Sequence, residues 1–145
     1  MNSESKILVQ KYFEERSFVE PDIQSFNNFV DHELKIILEE NAVIEPTIIP
    51  HNVEEYKIKL DKIWVEKPQI TEADGSKREI LPTEARLRKI TYGGPIFIEM
   101  SAHINGVQRE QFTTQIGSLP IMLKSKYCHL SGLAKDQLIE KGEDP

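Results

Sequence analysis

Four histidines, one cysteine and a surplus of carboxylates are the groups in this 145-residue chain that could act on a substrate. The histidines are His32, His51, His103 and His129, and no two stand three or four residues apart. Helical spacing therefore brings no pair of them to one metal ion, and a single cysteine leaves no multi-cysteine zinc site. Cys128 and His129 are neighbours, so in a strand they would point to opposite faces. Cys128 as a nucleophile would need a base beside it, and no sequence feature singles one out. A small thiol packed in the core is the simpler reading. Phosphate chemistry on divalent metal calls for clustered aspartates, and no D-x-D pattern occurs. Glu39-Glu40 and Glu54-Glu55 read as solvated charges. Gly93-Gly94 is too short to cradle a phosphate and is followed by no Lys-Ser/Thr.

Composition is that of one soluble domain, with 39% hydrophobic and 29% charged residues. No apolar run reaches membrane-spanning length, and Met1 to Lys6 is polar with no signal-like run behind it. One cysteine excludes an internal disulfide, which fits a reducing, cytoplasmic setting. The net charge of −6 argues against a generic nucleic-acid binder. The charge is uneven, however. Residues 1–66 carry 7 basic and 14 acidic side chains, while residues 67–130 carry 9 basic and 6 acidic. A phosphate-facing surface is expected in that middle segment, unless the difference is only solvated surface.

The elements that would position these groups alternate between helix and strand. Residues 1–20 form an N-terminal helical segment, with Lys6 to Phe13 as its apolar-rich stretch and a break from Ser17 to Pro21. Residues 21–145 form the main unit. Its first helix starts at Pro21-Asp22 and runs to about Asn41. Ile23, Phe26, Val30, Leu34 and Ile37 make one buried stripe, leaving Glu33, Glu39 and Glu40 wet. Pro46 and Pro50 mark an extended connection. Tyr56 to Val65 reads as a strand whose alternation slips near Lys62, as a bulge would require. Pro68 ends it, and Asp74-Gly75 turns a polar loop. Pro82 to Tyr92 reads as a helix with Arg86 and Lys89 on one face and Leu87 and Ile90 on another, stopped by Gly93-Gly94-Pro95. Ile96 to Ile104 alternates strictly, Asn105-Gly106 suits a hairpin, and Val107 to Gln115 returns. Leu119 to Leu123 reads as a short buried strand, and Leu133 to Lys141 as a last helix with Gly142 past its end. The order implies an α+β domain with an antiparallel or mixed sheet and flanking helices.

Four ordered segments resemble one family. Ser17-Phe18-Val19 with Gln24 to Val30 is similar to an opening S-F-V…D-S-F-N-x-F-V helix. Val65 to Pro68 with Ala73-Asp74-Gly75 is similar to a K-P…D-G connection. Pro82-Thr83-Glu84-Ala85-Arg86-Leu87-Arg88 with Thr91-Tyr92 resembles a P-x-E-A-R-L-R-x-x-T-Y segment. Ile116-Gly117 through Lys126 resembles an I-G-x-L-P-I-M-L-(R/K)-S-K strand. Together they resemble the N-terminal region of the second-largest subunit of multisubunit, DNA-directed RNA polymerases. The short hairpin between Ile96 and Ile116 favours the archaeal form.

The resemblance implies the first part of the protrusion domain, one wall of the DNA cleft. It implies no catalytic residue here and no cofactor in this segment. Mg²⁺ would be held in the assembled enzyme by groups outside it. Implied partners are the other polymerase subunits, the DNA template and RNA–DNA hybrid, initiation factor B and a clamp-bridging elongation factor; no membrane is implied. The family's chain is several-fold longer, so this one is expected to be a fragment that continues past Asp144-Pro145. The basic groups nearest the matched segments are Arg86, Arg88, Lys89, Lys124 and Lys126. They could position a phosphate backbone without reading sequence. Alternatively, Arg86 and Arg88 pair with carboxylates such as Glu84, which the i, i+4 spacing of Glu84 and Arg88 favours; for Lys124 and Lys126 both readings stay open. A free-standing module that binds a transcription factor is the competing function. An unrelated small enzyme using Cys128 or a carboxylate is a third, weakened by the missing catalytic cluster.

Overall fold

The computed structural model describes residues 2–15, 18–45 and 55–142. Expectations placed on Ser17, Pro46, Pro50, His51, Glu54, Asp144 and Pro145 lie outside the described residues. The elements run α1 (Ser3–Glu15), α2 (Glu20–Asn28), a π-helical turn (Phe29–Glu33), α3 (Leu34–Glu40), β1 (Val43–Ile44), β2 (Tyr56–Val65), β3 (Gln69–Thr71), β4 (Lys77–Glu79), α4 (Pro82–Leu87), β5 (Gly93–Ile104), β6 (Val107–Pro120) and α5 (Lys135–Glu140). This is an α+β arrangement. The main sheet has order β1-β2-β5-β6 with antiparallel neighbours throughout, and β3-β4 is a separate hairpin.

The long helix keeps its start, with Pro21 in the first turn and Glu20 and Asp22 at the positive end. Its stripe departs from the expected one. The π turn inserts a residue, so the phase beyond it is delayed by one position. Val30 and Leu38 are buried at 5% and 8% exposure, whereas Ile37, expected inside, is 49% exposed. The apolar side chains of α1, among them Ile7 and Leu8, are exposed. Phe13 of α1 stacks on Phe18 at 4.2 Å between ring centres.

β2 follows the alternation read in the sequence, and its register against β5 slips between Leu60 and Lys62, leaving Asp61 as the extra residue. Asn105 and Gly106 join β5 to β6 with positive φ at both positions, 52° and 80°, as a tight turn between twisted strands requires. The polar loop around Asp74-Gly75 is in fact the β3–β4 hairpin. Three-residue strands carry too little pattern to be seen in sequence.

Three expectations need correction. The helix expected over Pro82–Tyr92 ends at Leu87. Lys89 takes a left-handed conformation (φ 57°) and Ile90 N–H donates to Ala85 O at 3.0 Å, a Schellman-type stop. Leu87 and Ile90 are exposed rather than paired on a packed face. Gly93-Gly94-Pro95 therefore does not end that helix but opens β5. A β-carbon on Gly94 would run into the Glu66 carbonyl oxygen, so the glycine permits close backbone approach. Finally, the strand expected over Leu119–Leu123 is the end of β6, which stops at Pro120. Ile121 is buried beyond it, while Met122 and Leu123 are exposed.

Helix α3 packs on β2. The core is Val30, Val65, Ile121, Cys128, Leu130 and Leu138, with Phe26, Phe29 and Tyr92 packed against it. Cys128 and His129 sit in turns after β6 rather than in a strand. The opposite sheet face carries Lys57, Lys59, Lys62 and Trp64 of β2 across from His103, Ser101, Glu99 and Phe97 of β5.

Candidate functional site

The five basic residues singled out by sequence lie on two segments. Arg86, Arg88 and Lys89 belong to the C-terminal end of α4, and Lys124 and Lys126 to the turns after β6. Arg88 Nε donates to Glu84 Oε1 at 3.1 Å, the pair that the spacing foretold. Glu84 also accepts from Nη1 and Nη2 of Arg78, and Arg78 Nε donates to Glu72. The Arg78 hydrogen bond, followed by its charge and that of Arg88, holds the Glu84 carboxyl below the usual glutamate range. Glu84, then Glu72, pushes the Arg78 guanidinium up. This chain of charges ties the β3–β4 hairpin to α4. Arg78 was not among the residues picked from sequence, because no local spacing relates it to Glu84. Arg86 Nη2 donates to Thr83 Oγ1 at 3.4 Å, and Thr83 Oγ1 donates to Lys141 O at 3.3 Å, next to the end of α5.

Lys126 is held by α2 and the π turn. Its N–H donates to Asn27 Oδ1 at 2.9 Å and its ammonium to both Asp31 oxygens at 3.3 Å. The Tyr127 hydroxyl donates to Asp31 as well. Partial burial raises the Asp31 carboxyl, but the Tyr127 and Lys126 hydrogen bonds and the Lys126 charge outweigh it and leave the group below the usual aspartate range. Burial, then the Asp31 hydrogen bond, pushes the Tyr127 phenol up to about 12. Lys89 and Lys124 are exposed, both in left-handed conformation, and no carboxylate among the described residues is within ion-pair distance of either. Lys124 borders a shallow apolar hollow with Val19, Ile23, Met122 and Leu123.

Cys128 and His129 are both engaged in the packed interior. Cys128 is fully buried, and its sulfur accepts from Tyr92 Oη at 3.4 Å and Leu130 N–H at 3.3 Å. His129 directs Nε2 to the Pro68 carbonyl at 2.9 Å, with Nδ1 3.6 Å from Glu79. Among the described residues no three His, Cys, Asp or Glu side chains could hold a metal ion together. No helix among them is long and apolar enough to cross a membrane. What the arrangement offers is cationic surface on the end of α4, the turns after β6 and the sheet. Sequence reading passed over one further part of it: Lys57, Lys59 and Lys62 on the open face of β2, of which Lys57 is paired with Glu55 and Glu45. The alternation of Lys57 and Lys59 with apolar residues was a usable signal. Bringing Lys62 onto the same face needs the bulge at Asp61.

The comparisons agree with the family expected from the four segments. The model of a family described as RNA polymerase beta subunit matches residues 17–145. The chain is 44% identical over 142 residues to DNA-directed RNA polymerase subunit Rpo2N of Methanocaldococcus jannaschii, covering 95% of this chain and 28% of that protein. Against Rpo2N of Methanothermobacter thermautotrophicus (strain Winter) it is 43% identical over 139 residues, with 95% and 26% covered. Against subunit Rpo2 of Saccharolobus solfataricus it is 41% identical over 138 residues, with 95% and 12% covered. The chain thus spans about a quarter of the Rpo2N relatives it matches. A match of this extent, at this identity and over the segments that form the helix–sheet unit, places the chain in the RNA polymerase beta subunit family, as a relative of the N-terminal part of the archaeal subunit Rpo2.

Proposed function

We propose that this chain is a non-catalytic, structural part of an archaeal-type DNA-directed RNA polymerase. It forms one wall of the DNA cleft while ribonucleoside triphosphates are joined on a DNA template. The observation that carries the reading is the match over residues 17–145 to the RNA polymerase beta subunit family. The side chains support the non-catalytic half, since Cys128 and His129 are engaged in packing and hydrogen bonds. In this reading the partners are the other polymerase subunits, the template and the RNA–DNA hybrid. Initiation factor B and a clamp-bridging elongation factor dock on the same region, in the cytoplasm. Mg²⁺ is supplied by groups elsewhere in the assembly.

One observation favours a second reading, a free-standing module that binds a transcription factor. The hollow lined by Val19, Ile23, Met122 and Leu123, with Asp22 and Lys124 at its border, is mostly apolar and open, as a protein-docking surface is. Affinity capture of the native protein from its host through this region separates the two. Co-elution with the remaining polymerase subunits is the expected result. Recovery of a chain near 16.7 kDa with a factor and no polymerase subunit would overturn the first reading in favour of the second.

A further inference from the structure

The open face of the sheet carries cations and aromatic rings that the ion-pair network uses only in part. Register places Lys57, Lys59, Lys62 and Trp64 of β2 opposite His103, Ser101, Glu99 and Phe97 of β5, and Gln111, Thr113 and Gln115 of β6 continue the rows. Residues directly opposite one another project to the same face. The cations therefore form a line along the sheet, with Lys57 and Lys59 about 7 Å apart by strand rise. At one end Trp64 and Phe97 lie nearly parallel, with ring centres 5.8 Å apart and 21° between planes. The Lys62 ammonium lies 5.5 Å from the Trp64 ring centre. Beyond the rings the β3–β4 hairpin closes a polar hollow bordered by Pro95, Phe97, Gln115 and Lys77. At the other end a second hollow lies between Lys57, Lys59 and His103.

Lys57 is engaged by Glu55 and, at 3.6 Å, by Glu45. Glu99 accepts from Gln111. Lys59, Lys62 and Lys77 have no carboxylate among the described residues within ion-pair distance. Glu55 borders the hollow with Lys57 and Lys59, Glu99 stands opposite Lys62, and Glu66 accepts from Trp64 Nε1 at 3.5 Å; a chain of net charge −6 nevertheless keeps Lys59, Lys62 and Lys77 outside any ion pair among the described residues, beside two flat rings. Ammonium rows select phosphates or carboxylates by charge. The rings break that tie. A splayed base stacks on an aromatic face whatever its identity, and a carboxylate side chain has nothing to stack with.

The geometry points to a binding face for single-stranded nucleic acid, without sequence preference, on the open side of β2 and β5. Lys59, Lys62 and Lys77 contact successive phosphates, and Trp64 with Phe97 receives a base. This deepens the cleft-wall reading, on which it rests for its biological setting, by naming the surface and the strandedness of the nucleic acid. Its test is separate, because it reads oligonucleotide binding by the chain itself rather than co-elution with subunits.

Trp64 is the single tryptophan, so its fluorescence reports on this face alone. The 145-residue chain would be titrated with a twelve-nucleotide oligothymidylate and with a duplex of the same length, at several salt concentrations. Expected results are quenching of Trp64 emission and tighter binding of the single strand. In the K59Q/K62Q/K77Q variant the slope of log affinity against log salt should be shallower by about 2, near 0.7 per lost phosphate contact on a single strand. All three side chains are exposed, and circular dichroism would verify that the variant is folded. An unchanged slope in the folded variant, absence of quenching, or stronger binding of the duplex would each overturn the assignment. So would equal competition by polyglutamate, which would make the face a site for an acidic protein segment. Failure here leaves the capture result standing, and failure of the capture leaves this one standing.

Discussion

Asp31 gathers an ammonium and a hydroxyl group from residues 95 and 96 positions later, and this makes its contribution to stability dependent on pH. Its folded-state value lies below the ordinary one. The stability it contributes is therefore present above the unfolded-state value and is lost as pH falls through the folded one, on the acid side of about pH 4. Replacing Asp31→Asn should cost about 1–3 kcal/mol at neutral pH and flatten the acid limb of stability, read from urea midpoints between about pH 2 and 6. Tyr127 acts at the other extreme. Its raised value, about 12, means its contribution is complete below the unfolded phenol value and disappears as pH rises through the folded one. Tyr127→Phe should remove that alkaline loss, read from urea midpoints between about pH 9 and 12. Cys128 supplies a further check. With its sulfur fully buried, a thiol reagent should modify it only at the rate at which the chain opens, so added urea should accelerate labelling in step with unfolding. At this scale the sequence was legible only where partners are close along the chain. Glu84 with Arg88 followed from helical spacing. Asp31 with Tyr127, and Arg78 with Glu84, did not, because nothing local marks a contact between separate elements.

Elements were more readable than residues, for the same reason of range. The slip in the Tyr56–Val65 alternation located a bulge to within a residue, and Asn105-Gly106 announced its hairpin. The π turn at Phe29–Glu33 gave no such signal, lacking glycine or proline, and it moved the buried position from Ile37 to Leu38. Leu38→Ala should therefore cost about 2–5 kcal/mol. Ile37→Ala should stay within about 0.5 kcal/mol of the parent. Equal losses in chemical denaturation would mean that the helix keeps an ordinary α phase. Gly94 is the second case. Its Cβ would strike the Glu66 carbonyl, so Gly94→Ala should cost about 1–3 kcal/mol by overpacking. Gly117, in the same sheet, has open space at its Cβ, and Gly117→Ala should change the urea midpoint little by comparison. The β3–β4 hairpin and the early stop of α4 were missed because runs of three to six residues carry too little period for a pattern to emerge.

Across the whole molecule, block averages of charge pointed to residues 67–130, yet the most continuous cationic row belongs to β2, inside the net-acidic first block. Folding sorts charges by face rather than by position along the chain, which is why an average over sequence concealed it. The α+β class and the one-sided sheet were legible, because alternation over β5 and helical periodicity over α2 are long enough to register. The family was legible from four ordered segments and is the one the comparisons return. The central claim is that this wall faces nucleic acid in the working enzyme. The most direct measurement places a photoreactive residue at position 59, 89, 124 or 126, one at a time, in the polymerase proposed to contain this chain, halted on a DNA template. Cross-links to DNA or RNA from at least one of the four positions are the predicted result. Cross-links to protein alone from all four would contradict the account, and would make this surface a contact between subunits or factors instead.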